Sequence, residues 1–423
     1  MHKSGNPIKK IAFHTVVPFF CGMSNTSSSN LRPIGISLVG FAVGFYIGGW
    51  LLEDQSMLQR ICVIKNPASL YPIHPDEQMI LTEHLGLRAF DSYDAVPEWR
   101  KKSHRFIYYP TDWQFADAEV KALQLREPQA FRRSMILPCL IDHDQLACKA
   151  ALILNVKHLL GKDAMKYLPR SWSLQEWQSE QSTDNKFDLM CIAKTNLQRQ
   201  CATMLFHASE APSLEEMHKH GIVVVQALES RPLCIKELKT TLRVYVLMFK
   251  SHGAIHIWRY SDGFVYYTPL SYVEDSDDIK RQVASGYIDR AVYDTRPLTM
   301  HDLWRSMSVN EAQSYARQID LCLQSTLGAL LRHTQLLKGT PSGAFQLFGC
   351  DILLKDNSTE PAVLLEVNKL PDLGYKSERD GQLKRAMLKQ MWHILSSPHL
   401  LGLQYHQNAE HMADNDNRMW LNL

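Results

Sequence analysis

Two carboxylates and an amide, Asp351, Glu366 and Asn368, lie where this sequence is best suited to hold a metal ion against a phosphate. They fall in two short apolar runs, FGCDILL and AVLLEVN, joined by the polar segment KDNSTEP. Asp356, Asn357 and Pro361 mark that segment as a turn, so the runs read as a hairpin. Residues two apart on a strand point to the same face, which sets Glu366 beside Asn368. Pairing the strands brings Asp351 onto that face as well. Three hard oxygen ligands together suit Mg²⁺, commonly held by one or two carboxylates and a nucleotide's phosphates. The alternative is a solvated strand pair whose acids face water. Flanking Leu, Ile and Val residues fit that alternative poorly.

A scaffold has to hold these side chains in place, and 423 residues can supply a large core in two or three lobes. A net charge of +2 creates no strong field for nucleic acid, so no nucleic-acid partner is expected. The nine cysteines contain no C-x-x-C pair, which argues against a zinc ribbon or a thioredoxin-type site. Cys191 and Cys350 lie in apolar runs and read as buried free thiols. No internal repeat is present. FDLMCIAKTN, residues 187–196, reads as a strand ending in Lys194. Residues 142–161 carry apolar side chains at helical spacing and open on Asp142 as an N-cap. Residues 254–268 read as a hairpin turning at Ser261, Asp262 and Gly263. A long amphipathic helix is expected over 309–337 and a packing helix over 377–397. Arg100, Lys101, Lys102 and Arg105 form a basic cluster, read either as a solvated surface or as a docking face for an acidic protein.

FGCDILL followed by LLEVNKLPDL resembles the tubulin tyrosine ligase-like family, whose pattern runs F-x-L-F-G-x-D and then L-L-E-V-N-x-x-P-x-L. A second stretch, VVVQALESRPLCIKELKTTLRVYVL, resembles the family's V-V-Q, N-P-L-L-I and K-F-D-L-R-x-Y-V-L elements. The resemblance implies an α+β ATP-grasp fold that joins a carboxylate to an amine through an acyl-phosphate, using ATP and Mg²⁺. It places Asp351, Glu366 and Asn368 at the Mg²⁺ positions. Lys194 then contacts the nucleotide phosphates, and Gln226, Ala227 and Leu228 form the hinge beside adenine. Lys239 and Arg243 stabilise the transferring phosphoryl group. The implied partners are a free amino acid and a protein substrate, tubulin or another acidic-tailed protein. Four departures stand out. Thr240 and Thr241 replace Phe and Asp, and Tyr266 occupies the place of a later arginine. No glycine stands between Lys194 and Gly221, and residues 285–294 keep little of the family's H-L-T-N element. A catalytically impaired ATP-grasp protein serving as a nucleotide- or protein-binding module is therefore the alternative function.

The N-terminal segment carries a different signal. Residues 1–52 contain no acid, and Ile34 to Leu52 contain no charge. That length matches a bilayer-spanning helix, with Gly40, Gly44 and Gly48 forming a ridge on which a second helix could pack into a dimer. The basic flank orients the tail toward the cytosol, although the leader also reads as an organellar targeting sequence. The expected layout is a basic tail (1–33), a transmembrane helix (34–52), a linker (53–85), an N-terminal lobe (86–185), ATP-grasp lobes (186–400) and a C-terminal tail (401–423). On this reading the full-length protein stays with the membrane pellet after alkaline carbonate extraction, and a chain beginning at residue 53 is released. Release of both would remove the span.

Overall fold

The structure is a computed structural model that describes residues 61–65, 75–81, 87–110, 116–126, 128, 135–181, 189–196, 204–251, 253–284, 289–333, 337, 339–396 and 419–423. The first sheet is parallel, in the order β2-β1-β3-β4, and uses β1 (Ile61–Lys65), β2 (Arg88–Phe90), β3 (Arg105–Tyr109) and β4 (Met135–Ile136). The strand β1 lies inside the stretch expected to be a linker, so that expectation is corrected. Its run ICVIK is almost wholly buried, the pattern of a strand covered on both faces. The prolines that suggested a linker follow this strand, and Pro75 opens the helix Pro75–Met79, where its missing N–H costs nothing. Glu77 on that helix is buried and accepts hydrogen bonds from the Tyr109 hydroxyl and the Trp392 indole, both at 3.0 Å. These contacts tie the N-terminal sheet to the C-terminal helix.

A small antiparallel sheet, β5-β8-β6-β7, is formed by β5 (Ser171–Ser173), β6 (Met190–Thr195), β7 (Met204–His207) and β8 (Ile222–Ala227). It has its own core of Trp172, Trp177, Cys191, Phe206, Met217 and Val225. The principal sheet runs β13-β12-β10-β11-β14, with β9 (Cys234–Ile235) paired to β10 (Leu238–Ser251). Its other strands are β11 (Ala254–Tyr267), β12 (Phe345–Leu353), β13 (Val363–Asn368) and β14 (Trp420–Asn422). Alternation along β10 sends Leu242, Val244, Val246 and Met248 into one core and Tyr245, Leu247 and Phe249 into another. The sheet is thus covered on both faces.

Several sequence expectations meet the structure here. The hairpin expected at Ser261–Gly263 is instead a bulge within one continuous strand, because β10 and β11 are themselves the hairpin. Val244 pairs with Gly263 and Val246 with Arg259, so extra residues of β11 bow outward between them. Asp262 fills the bulge and accepts from the amides of Gly263 and His301, which supplies locally what a turn would have supplied. The C-terminal tail is corrected too, since Trp420–Asn422 form β14 on the outer edge of β11 and Trp420 packs on Tyr260. Apolar burial of the tryptophan explains why this short polar-flanked segment holds. The long helix is present as Val309–Leu323, a π turn Gln324–Gly328 and Ala329–His333, opened by a Ser308–Glu311 capping box. The packing helix runs Glu378–Ser396.

Asp142 does not cap a helix as expected; it takes a positive φ of 61°, and the chain forms Asp144–Ala147 and then Lys149–Leu160 around an extended Cys148. That break makes Lys149 the first residue of the longer helix. Among the described residues no helix is long and apolar enough to cross a membrane. The span expected at 34–52, with Gly40, Gly44 and Gly48, lies outside the described residues. Arg100 and Lys101 of the basic cluster are engaged locally. The Arg100 guanidinium lies over the rings of Trp99 and Phe90, and Lys101 pairs with Glu98 at 2.8 Å. A solvated local cluster, rather than a free docking face, describes these two residues.

The bulge admits no side chain at Gly263, where a Cβ would lie 2.2 Å from the Arg243 carbonyl oxygen. Gly263→Ala is expected to destabilise the fold by about 1–3 kcal/mol through forced strand separation, read from urea unfolding. Unchanged stability would mean the bulge is not packed in this way.

Candidate active site

Strand register brings the predicted ligands together. Arg243 on β10 is the register partner of Asp351 on β12, and Asp351 is the partner of Glu366 on β13. Arginine, aspartate and glutamate thus form one row across three adjacent strands, and Asn368 stands two residues from Glu366 on the same face. On each strand this face changes from apolar to charged at the same level. Leu247 and Tyr245 precede Arg243 in space, and Leu347 and Gly349 precede Asp351. Gly349 is required at that step, since a Cβ there would meet Pro371 at 2.9 Å and the Arg243 side chain at 3.0 Å. Its absence lets Arg243 lie flat along the sheet toward Asp351.

The row is held by short polar contacts. Arg243 grips Asp351 with two hydrogen bonds, Nε to Oδ1 at 2.6 Å and a terminal nitrogen to Oδ2 at 3.1 Å. The Asn368 amide donates to Glu366 Oε1 at 3.1 Å. Lys149 Nζ lies 3.4 Å from Glu366 Oε2. Sequence reasoning missed Lys149. It sits in an ordinary amphipathic helix pattern, and only the chain break at Cys148 aims it into the site. One signal was available: a lysine near the start of a helix, where the dipole disfavours cations, wants a nearby carboxylate.

The titration behaviour follows from this crowding. Burial pushes Asp351 up, to about 6, with Arg243 opposing and the neighbouring Glu366 adding to the rise. Burial acts on Glu366 in the same sense, but Lys149, Lys194, Asp351 and Asn368 outweigh it and hold the carboxyl down, at about 2. Two carboxylates forced side by side in a poorly solvated place are relieved by a dication. Their hard oxygens, with the amide of Asn368, make a donor set that fits Mg²⁺. Among the described residues no cluster of three His, Cys, Asp or Glu side chains forms.

Lysines border the row. Lys194 is the last residue but one of β6 in the small sheet, and its ammonium makes no hydrogen bond or ion pair among the described residues; burial pushes it down to about 8, with Glu366 opposing. Lys239 on β10 is 5% exposed, and its ammonium has the ring of Tyr272 as partner, 5.5 Å from the centroid. Burial pushes it too down to about 8. A buried ammonium with so little pairing is stabilised by any anion brought beside it. Nearby Lys355 is satisfied by Glu229 at 2.5 Å.

The hinge residues are placed differently from expectation. Gln226 is buried and donates its side-chain amide to Ser171 Oγ at 3.0 Å. The Ala227 and Leu228 amides donate to the carbonyls of Arg170 and Met190, both at 2.8 Å. Backbone amides of these two residues are therefore committed to the small sheet. Thr240 and Thr241 are buried in the sheet, Thr240 bonding the Leu233 carbonyl. Arg259 turns away from the row and pairs with Asp320 of the long helix at 2.6 Å. Tyr266 instead lies beneath Arg243, whose guanidinium carbon is 5.4 Å from the ring centroid. Residues 197–203, where the glycine-poor loop falls, lie outside the described residues.

A small sheet bearing a lysine, a large sheet bearing an acid row and a parallel N-terminal sheet together define an ATP-grasp protein. The fold is similar to the C-terminal domain of Pby1 from K. lactis, an ATP-grasp enzyme interacting with the mRNA decapping enzyme Dcp2. The TM-score is 0.54 at 14% identity, over 82% of this chain and 96% of that one. The profile of the tubulin-tyrosine ligase family matches residues 137–399, more than half of the chain, and the chain belongs to that family. It is 29% identical over 188 residues to human tubulin polyglutamylase TTLL13 and 26% identical over 187 residues to tubulin glycylase 3B of Drosophila melanogaster. Each match covers 39% of this chain and 23% of the relative. A probable tubulin polyglutamylase of Caenorhabditis elegans, ttll-9, is 28% identical over 178 residues, 41% of this chain and 42% of its own. The chain therefore spans less than half the length of these relatives.

The depressed lysines carry a pH signature. Lys239 is lowered from 10.5 to about 8 in the folded chain, so its buried charge costs stability below about 8. Stability should rise as pH climbs from about 8 toward 10.5, where the unfolded chain also loses the proton. Affinity for nucleotide should fall over the same rise, because phosphate needs the ammonium form. Calorimetric titration with ATP at pH 7 and pH 9 checks this, with proton uptake on binding near pH 8. Lys239→Met should remove the share of the pH dependence that belongs to Lys239 and leave that of Lys194.

Proposed function

We propose that this chain is an ATP-dependent ligase that attaches an amino acid to a carboxylate of a protein. The observation that carries the reading is the row Arg243–Asp351–Glu366 with Asn368 and three bordering lysines. Mg²⁺ bound by Asp351, Glu366 and Asn368 would neutralise phosphate charge. Lys149 and Lys194 take the phosphates at the Glu366 end, Lys239 takes them from β10, and the carbonyls of Ala227 and Leu228 face the base. Arg243, locked to Asp351 and underlaid by Tyr266, keeps a fixed positive charge beside the transferring phosphoryl group. A substrate carboxylate oxygen attacks that group and ADP leaves. The amine nitrogen then attacks the acyl carbon, losing a proton as phosphate departs.

Tubulin is the protein substrate we favour, since the relatives above are tubulin polyglutamylases and a glycylase. Anchoring of the domain through Ile34–Leu52 to a membrane, with pairing at Gly40, Gly44 and Gly48, completes the proposal. A second reading has its own support: Thr241 and Tyr266 stand where the family carries an acid and an arginine, which favours nucleotide binding without ligation.

The melting temperature of the full-length chain with and without Mg-ATP tests the site. A ligand at a hundred times its dissociation constant should add about 2.7 kcal/mol of stability, and Glu366→Gln should lose most of that gain. No response at saturating nucleotide would sink the ligase reading. A response without ADP release in the presence of tubulin and amino acids would select the non-ligating alternative.

A further inference from the structure

Two ion pairs of opposite polarity join β13 to the broken helix beside it. On the strand side, Glu366 and Lys369 bracket Asn368. On the helix side, Asp144 opens the helix Asp144–Ala147 and Lys149 opens the helix Lys149–Leu160, with the extended Cys148 between them. Lys149 Nζ lies 3.4 Å from Glu366 Oε2, and Lys369 Nζ donates to Asp144 Oδ1 at 2.7 Å. Acid meets base at both places. Turning the helices end for end would set acid against acid and base against base, so the crossed pairs admit one arrangement.

Ligand binding acts on the two pairs differently. Glu366 and Lys149 belong to the row, where the carboxylate serves a metal ion and the ammonium serves phosphate, so their hold on each other is divided with those ligands. Lys369 and Asp144 stand outside the row, and the family pattern leaves the position after the asparagine open. The main chain of Lys369 is pinned from β12, where the buried Gln346 donates its side-chain amide to the Lys369 carbonyl at 2.6 Å. Its side chain is 14% exposed, against 66% for Asp144. His143 Nε2 lies 3.8 Å from the same Asp144 oxygen, and its Nδ1 donates to the Leu140 carbonyl at 2.7 Å, so Lys369 is the nearer partner. A pair with one member so exposed adds little to the stability of the fold. Its effect is on position.

We propose that Asp144 and Lys369 are positioning residues, whose ion pair keeps Lys149 and Asn368 at the acid row once nucleotide and metal ion draw on Glu366 and Lys149. This deepens the ligase reading and rests on its nucleotide site rather than on ligation. Asn368 directly precedes Lys369, and Lys149 follows the short helix that Asp144 opens. Loosening the bridge therefore frees a metal-facing amide on one side and a phosphate-facing ammonium on the other. Partners that orient a ligand in this way act on affinity for the bound group more than on the empty fold.

The test is calorimetric titration of the full-length chain with ATP in excess Mg²⁺, beside the melting temperature of the same samples without ligand. Asp144→Ala should weaken ATP binding by about threefold to tenfold and move the ligand-free melting temperature by less than about 2 °C. Lys369→Gln should do the same. The double variant should bind no more weakly than either single one, because both substitutions remove one interaction. Asp144→Glu should recover most of the lost affinity. Losses that add in the double variant overturn the proposal, since the two residues would then act separately. A lower ligand-free melting temperature with ATP affinity intact also overturns it, leaving the bridge as a contact of the fold and the nucleotide site standing. No ATP binding by the unaltered chain removes the nucleotide site itself, and this inference with it.

Discussion

The site depends on holding two carboxylates side by side. Asp351 and Glu366 are forced into proximity by the pairing of β12 with β13, and their repulsion has to be met from both flanks. Arg243 meets it from within the sheet, and Lys149 from a helix outside it. Each of these cations needed its own structural concession. For Arg243 it is Gly349, where a side chain would block the path to Asp351. For Lys149 it is the extended Cys148, which breaks a helix and turns the lysine inward. The charged row is therefore a property of the sheet's construction as much as of its composition.

Around this row the molecule separates two tasks. The principal sheet, covered on both faces by apolar cores, supplies the rigid platform on which the acids sit. The small sheet with its separate core contributes Lys194 and the hinge carbonyls. The two sheets also meet, since Val224 of β8 packs in the same apolar cluster as Leu242 and Val244 of β10. The buried Glu77, bonded to Tyr109 and Trp392, and the short strand β14 fasten the chain's two ends to the same platform.

Two of the departures from the family pattern, Thr241 and Tyr266, fall near Arg243. Asp351, Glu366, Asn368 and Lys194 match the family pattern, whereas Tyr266 and Thr241 replace charged residues near Arg243. Tyr266 supports the guanidinium through its ring but adds no charge of its own. The change shifts the balance there from cationic to phenolic.

Period-two hydrophobicity and local turn chemistry were enough to read the β12–β13 hairpin, the faces of Asp351, Glu366 and Asn368, and the helices Val309–Leu323 and Glu378–Ser396. These features depend on residues within one or two elements of each other, so the sequence carries them directly. The same local logic misread Ser261–Asp262–Gly263 as a turn and the tail as free, because a bulge and an edge strand take their meaning from distant partners, the Met300 helix and β11. The strand at Ile61–Lys65 was hidden for a related reason: prolines crowd the stretch after it, and only its parallel neighbours β2 and β3 define it as a strand. Sequence thus determined which residues stand together in the acid row and the order of its strands' side chains. Tertiary structure alone decided that Lys149 joins the row, that the Ala227 and Leu228 amides are already committed, and that Tyr266 lies under Arg243. Those facts come from contacts between residues far apart in the chain, and no local period encodes them.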